Sequence, residues 1–217
     1  MQQVLDWLAR RSYRFREVIV VDDGSRDSTA RVVQDFAKDN AHVRLARNPG
    51  NRGKGYAVRN GMLEAKGEWI LYSDADLSTP IVEVDKLCRA AYEQDAAVAI
   101  GSRAVDRSLV SVHQPALREL SGRAFNLVMR AVTGLPFRDT QCGFKLYRAD
   151  AAREIFKRQK QDGFSFDVED LLIAKRLGVH AVEVPVRWAN VEGTKVRLSQ
   201  GIMSFLDLVK IRMDHRS

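Results

Sequence analysis

The sequence predicts an α/β fold: a mostly parallel central sheet flanked by helices. Three observations carry that prediction. Short apolar, β-branched runs alternate with amphipathic segments of helical period through the first half of the chain. Several runs stop abruptly at Asp, Ser or Arg, so polar groups repeat at one edge of the expected sheet. The chain has 217 residues, 45% of them hydrophobic and 29% charged, which suits a single domain over 1–217 with a real core rather than a disordered chain.

The elements follow in order. Glu17 to Val21 reads as a buried strand ending in Asp22-Asp23-Gly24-Ser25. Ser28-Thr29 caps a helix whose Ala30, Val33, Phe36 and Ala37 share a face. His42 to Leu45 is a second strand, and Asn48 to Gly55 is a loop by composition. Tyr56 to Lys66 is a helix closed by Gly67. Glu68 to Tyr72 is a third strand, again ending in acids, Ser73-Asp74-Ala75-Asp76. Pro80 opens a helix to about Gln94. Ala97 to Ile100 is a fourth strand ended by Gly101-Ser102-Arg103.

The second half is less regular. Ala116 to Thr133 reads as a long helix with Leu117, Leu120, Ala124, Leu127, Val128 and Ala131 inside. Asp139 to Tyr147 is a loop entering a strand, Phe166 to Leu177 a helix, and Val182 to Trp188 a strand. Ile202, Phe205, Val209 and Met213 mark a last amphipathic helix.

Composition narrows the function. The net charge of +7 suits an anionic partner: nucleic acid, an acidic membrane or a phosphorylated substrate. No nucleic-acid motif accompanies the charge, so nucleic acid is not the expected partner. Cys88 and Cys142 form no CxxC pair and read as ordinary thiols of a reducing compartment. No stretch approaches the ~20 apolar residues of a membrane span, so any membrane contact is peripheral.

In open α/β sheets ligands gather at the carboxyl ends of strands. Asp74 and Asp76 lie two apart at such an end. Carboxylates so placed suit a hard divalent cation, Mg²⁺ or Mn²⁺, which in turn suits a diphosphate. The alternative is a solvated turn capping the next helix. Asp22 and Asp23 suit either a ribose or base contact or an Asx-turn completed by Gly24. Asn51 to Gly55 is Gly-rich and basic, with Lys54 available to a phosphate, but lacks P-loop spacing. Arg103, Arg118 and Arg123 suit an anion cradle or an ordinary basic surface. Asp167 and Glu169, in the first turn of a helix, suit either a general base or hydroxyl contact, or simple stabilisation by the macrodipole.

Together, Val20 to Thr29, Asn51 to Gly55 and Tyr72-Ser-Asp-Ala-Asp-Leu-Ser-Thr-Pro80 resemble the family 2 inverting glycosyltransferases of GT-A (Rossmann-like) fold. Gly101-Ser-Arg103, Arg138 to Lys145, Asp162 to Asp167 and Glu183 to Trp188 narrow the resemblance to its polyprenyl-phosphate branch. The resemblance implies transfer of a hexose, with glucose from UDP-glucose expected, to dolichyl or polyprenyl phosphate with inversion. It implies donor contacts at Asp22, Asp23, Lys54 and Asp74, and metal at Asp74 and Asp76. Asp76, Asp167 and Glu169 would be catalytic. Arg103, Arg118 and Ser121 would grip the acceptor phosphate, joined by Arg123. Related mannose enzymes place a further metal-binding Gln where this chain has Ser78. The resemblance also implies a strand ahead of residue 17 ending in a Pro-x-Tyr-Asn-Glu run, which this chain begins after; the expected fold therefore lacks its first strand. The expected setting is the cytoplasmic face of a membrane, with peripheral contact. The alternatives are GDP-mannose as donor, a non-catalytic nucleotide-sugar binder, and a basic nucleic-acid-binding module.

Overall fold

The computed structural model describes residues 1–112, 126–190 and 207–215. Helix α1 (Gln2–Ala9) precedes β1 (Val18–Asp22), α2 (Thr29–Lys38), β2 (Val43–Arg47), α3 (Lys54–Glu64) and β3 (Trp69–Ser73). A 3-10 turn leads into α4 (Val84–Glu93), then β4 (Val98–Ser102) and β5 (Val110–Val112). A helix described over 126–133 (α5) is followed by β6 (Phe144–Arg148), α6 (Ala149–Arg158) and α7 (Phe166–Arg176). Strands β7 (Ala181–Pro185) and β8 (Trp188–Ala189) come next, and residues 207–214 form α8.

The strands form a parallel β1–β2 pair, a four-stranded sheet ordered β3-β6-β4-β7, and a small parallel β5–β8 pair. The larger sheet is mixed. β4 and β7 are parallel, as strand–helix alternation predicts, but β6 runs antiparallel between β3 and β4. Helix α3 packs on both β1 and β3.

Period-2 alternation sorts the strand residues onto two cores. Ile70 and Tyr72 of β3, Val98 and Ile100 of β4 and Tyr147 of β6 enter one core with Ile155 and Phe156 of α6 and Leu171 of α7. Leu71, Ala99, Phe144, Leu146, Val182 and Val184 enter the other, with Trp7 of α1 and Val84, Leu87 and Ala91 of α4. The result is a three-layer α/β/α sandwich. Fully burying a side chain such as Phe156 stabilises by about 1.5–3 kcal/mol.

Two expected helix faces turn out differently. Leu127 and Val128 of α5 are exposed, and Met129 is fully buried in their place. On α8, Leu208 and Ile211 are buried while Val209 and Met213 face outward. Each helix carries two apolar stripes at helical spacing, and the neighbours it packs against decide which is covered. Expected residues Leu117, Leu120, Ala124, Ile202 and Phe205 lie outside the described residues. Boundaries also shift. Helix α3 begins at Lys54 instead of Tyr56, and Val186-Arg187 separates β7 from β8. Both cysteines are free, Cys88 exposed and Cys142 buried. No helix among the described residues is long and apolar enough to cross a membrane.

Candidate active site

The end of β1 is organised by its two acids, in different ways. Asp22 is buried, and its Oδ1 accepts the Ser25 N–H at 3.0 Å in an Asx-type turn. Hydrogen bonding to Ser25, from its side chain first and its N–H second, aided by Arg47 at 3.5 Å, holds the Asp22 carboxyl below the usual carboxylate value. Gly24 makes the turn possible. Its φ is +77°, and an added Cβ would lie 2.6 Å from the Asn51 nitrogen. Asp23 is an anchor: Oδ1 accepts from Asn48 Nδ2 at 2.8 Å and the Arg52 N–H at 3.0 Å, while Oδ2 accepts the Gly53 N–H at 2.8 Å. The Asp23 carboxylate therefore fixes the Gly-rich loop that delivers Lys54.

Lys54, the first residue of α3, crosses to the end of β3. Its Nζ lies 2.8 Å from Asp74 Oδ1, beside the rings of Tyr72 and Phe164. Asp74 is held from several directions. Its N–H donates to Gly143 O at 2.9 Å, and Tyr72 Oη donates to its Oδ1 at 3.3 Å. Its carboxylate rests on Gly143, where an added Cβ would overlap it. Asp76 Oδ1 accepts the Ser78 N–H at 2.9 Å. Ser78 thus shapes the turn through its backbone.

Asp74 and Asp76 fit a hard divalent cation by donor type, and the space over Gly143 is kept clear for the Asp74 carboxylate. No group of three His, Cys, Asp or Glu surrounds a common point among the described residues. An open cleft of about 480 Å³ lined by Tyr13, Arg16, His42 and Lys66 lies at the opposite ends of β1 and β2 and contains none of these acids.

Arg103, past the end of β4, is gripped by Asp139 through Nε at 2.7 Å and Nη2 at 2.8 Å. Burial alone would lower the Arg103 pKa, but Asp139 outweighs it and keeps the guanidinium charged. The same pairing outweighs burial at Asp139 and holds that carboxyl below its usual value. The guanidinium stacks over Trp188 and feels the charge of Asp74. Arg118, Ser121 and Arg123 lie outside the described residues.

Helix α7 gives its acids different partners. Asp167 is buried and pairs with Lys145 Nζ at 2.5 Å, within the electrostatic reach of Lys54 and Asp74. Glu169 points elsewhere. Its carboxylate accepts the N–H groups of Lys160 and Gln161 and lies 2.6 Å from His215 Nε2. The structure thus brings Asp23, Lys54, Asp74, Asp167 and Arg103 into one neighbourhood and leaves Glu169 out. Glu169 instead ties the 160–162 segment to α7 and α8.

Sequence reasoning gave no individual site role to Lys145, Asp170, Tyr147, Asp139 or Gly143. A signal existed for some of them. Lys145 and Tyr147 are two apart on one face of a strand whose neighbours are apolar, so a buried Lys there demanded acidic partners. Gly143 lies in the 138–145 run that carries the resemblance, but its contact with Asp74 depends on that residue arriving from β3.

A sequence profile described as glycosyl transferase family 2 matches residues 1–156. The dolichyl-phosphate beta-glucosyltransferase ALG5D of Trichomonas vaginalis is 34% identical over 229 residues, covering 100% of this chain and 68% of the relative. The human dolichyl-phosphate beta-glucosyltransferase is 35% identical over 209 residues, covering 90% of this chain and 64% of the relative. This chain therefore spans about two thirds of such relatives. Among solved structures, glucosyl-3-phosphoglycerate synthase from Mycobacterium tuberculosis, in complex with Mn²⁺, UDP-glucose and phosphoglyceric acid, superposes with a TM-score of 0.66 at 16% identity, covering 100% of this chain and 76% of that one. The shared architecture is that of the GT-A glycosyltransferases, and the chain belongs to glycosyl transferase family 2.

Proposed function

We propose that this chain, acting as one domain over 1–217, transfers glucose from UDP-glucose to a dolichyl or polyprenyl phosphate and releases UDP. The observation that carries the reading is the Lys54–Asp74 pair at 2.8 Å, seated over Gly143 with Asp76 two residues on. It is a paired cation and acid set at a strand end, where a nucleoside diphosphate binds. The relatives named for this reaction support the choice of sugar and acceptor.

A phosphate oxygen of the acceptor attacks the anomeric carbon as the bond to the diphosphate oxygen breaks, and the bonding electrons leave with UDP. Attack opposite the leaving group inverts the centre, so an α-linked donor gives a β-linked product. A phosphate oxygen is already anionic near neutral pH, so the protein's main tasks are positioning and charge stabilisation. Asp74 and Asp76 would hold a divalent cation, Mg²⁺ or Mn²⁺, which neutralises charge gathering on the leaving diphosphate. Lys54 adds a fixed positive charge at the same place. Asp22 and Asp23 shape the nucleotide loop, Arg103 meets the acceptor phosphate with Arg118, Ser121 and Arg123, and Asp167 faces the acceptor side. Contact with the cytoplasmic face of a membrane is peripheral and brings the lipid to the strand ends.

Asp76→Ala tests the reading. Transfer of glucose from UDP-glucose to a short polyprenyl phosphate is abolished while the melting temperature stays within about 3 °C of the parent. Unchanged turnover removes Asp76 from the reaction. Product formed from GDP-mannose in preference to UDP-glucose would reassign the donor.

A further inference from the structure

Beneath the site lies a buried charge cluster of which the proposed reaction uses only Asp167. Lys145 sits mid-strand in β6, opposite Tyr72 of β3 and Ile100 of β4, and its side chain is fully buried. Its Nζ donates to Asp167 Oδ1 at 2.5 Å, to Asp167 O at 3.1 Å and to Asp170 Oδ2 at 3.3 Å. Tyr147, two residues along the same face, donates from Oη to Asp170 Oδ2 at 2.5 Å. Asp170 Oδ1 is buried with no hydrogen-bond partner among the described residues. The Phe166 ring lies beside the ammonium, and its edge packs on Tyr72, which in turn reaches Asp74.

Burying an ammonium costs several kcal/mol, and a well-packed apolar side chain usually stabilises a core at least as well as a buried ion pair. Stability alone therefore does not explain a Lys at 145. The cluster's position does offer a reason. The cluster meets α7 in its first turn: Lys145 bridges Asp170 and Asp167, the acid that feels the charges of Lys54 and Asp74, while Tyr147 holds Asp170. Asp167 Oδ1 and the Asp167 carbonyl are both held by one ammonium, which fixes both the helix end and the side-chain rotamer. No described residue donates to Asp167 Oδ2.

We propose that Lys145 is a positioning residue of the transfer reaction: shared between Asp167 and Asp170, it locks the Asp167 carboxylate in place beside the Lys54–Asp74 pair so that Oδ2 is presented to the acceptor side. Tyr147 and Asp170 form the backing that stops Lys145 from drifting off Asp167. The inference rests on the reading of Asp167 given above. Burial pushes both Asp167 and Asp170 above the usual carboxylate range, and the Lys145 ammonium between them only partly offsets this.

The test is a double-mutant cycle on the full chain with Lys145→Met, Asp167→Asn and the pair combined, read as kcat and KM for UDP-glucose at saturating polyprenyl phosphate. Displacing a positioned group of the site by about 1 Å costs on the order of 100-fold, so Lys145→Met is expected to lower kcat by about that factor with KM for UDP-glucose within about twofold. The combined variant is expected to be no slower than Asp167→Asn alone, since Lys145 acts through Asp167. Multiplying effects, or a Lys145→Met loss confined to KM or to thermal stability, overturns the proposal. Wild-type turnover in Asp167→Asn instead overturns the reading of Asp167, and does so whatever Lys145→Met shows. Should Lys145→Met not fold, Tyr147→Phe takes its place. It is expected to lower kcat by roughly tenfold at constant KM, and unchanged kcat there counts against the proposal.

Discussion

Gly143→Ala separates positioning of Asp74 from stability more sharply than removing the acid does. An added Cβ at 143 would lie 2.5 Å from Asp74 Oδ1 and closer still to Cγ and Oδ2. Ordinary contact begins at about 3.4 Å, so the carboxylate must retreat by roughly 1 Å. The obstacle is the far end of a rotatable side chain, and Gly143 does not have positive φ, so the backbone accepts alanine. The folded state should lose only about 1 kcal/mol, near the centre of the distribution for single substitutions. The site loses more. Retreat pulls Oδ1 from Lys54 and from Tyr72. A displacement of that size in a reacting constellation costs on the order of 100-fold in kcat, or ~2.7 kcal/mol of transition-state stabilisation. The assay is initial-rate transfer of labelled glucose from UDP-glucose to a short polyprenyl phosphate, alongside thermal unfolding. A variant that melts normally and turns over within about threefold of the parent would refute the claim that Asp74 must sit on Gly143.

Two further predictions concern α7. Glu169→Gln should weaken the fold without slowing chemistry, because Glu169 accepts two backbone N–H groups and meets His215 instead of facing the strand ends. A loss of about 1–3 kcal/mol, at roughly 2–4 °C per kcal/mol, should appear in thermal unfolding. Normal stability with lost turnover would return Glu169 to the catalytic set. Asp170→Asn should flatten the dependence of stability on pH. With its folded-state pKa at about 7 against an ordinary 3.8, Asp170 binds more proton folded than unfolded, so its contribution to stability falls as pH rises from about 4 to 7. Each pH unit in that window removes up to ~1.4 kcal/mol, and asparagine, which does not titrate, removes this slope. Denaturant melts at pH 5 and pH 7.5 measure it, and an unchanged pH dependence would mean that Asp170 is not held protonated.

The alternating strands and helices were legible because apolar period and turn residues are local properties. The position of β6 was not. An antiparallel strand from late in the chain, entering between β3 and β4, leaves no local mark in Phe144 to Arg148. The acids at 74 and 76 could be placed at a strand end from sequence, whereas their environment could not. Gly143, Lys54 and Tyr72 reach Asp74 from three different elements. Asp22 and Asp23, adjacent in sequence, take different partners. The turn belongs to Asp22 and Ser25, while Asp23 binds the loop thirty residues on that carries Lys54. Asp167 and Glu169 looked equivalent because both stand in one helical turn. They diverge because residues two apart on a helix face different neighbours, Lys145 for one and the 160–161 amides for the other.

The central claim is that the strand-end acids and Lys54 assemble a divalent-cation-dependent transfer from a nucleoside-diphosphate sugar to a lipid phosphate. The most direct test is transfer of labelled glucose from UDP-glucose to a short polyprenyl phosphate with Mn²⁺ or Mg²⁺, with EDTA added and the cation then restored. The account predicts a glycolipid product that is lost with EDTA and regained with the cation. Product that forms equally well in EDTA would contradict the role given to Asp74 and Asp76, and a folded chain that binds UDP-glucose yet yields no glycolipid would contradict the proposed reaction itself.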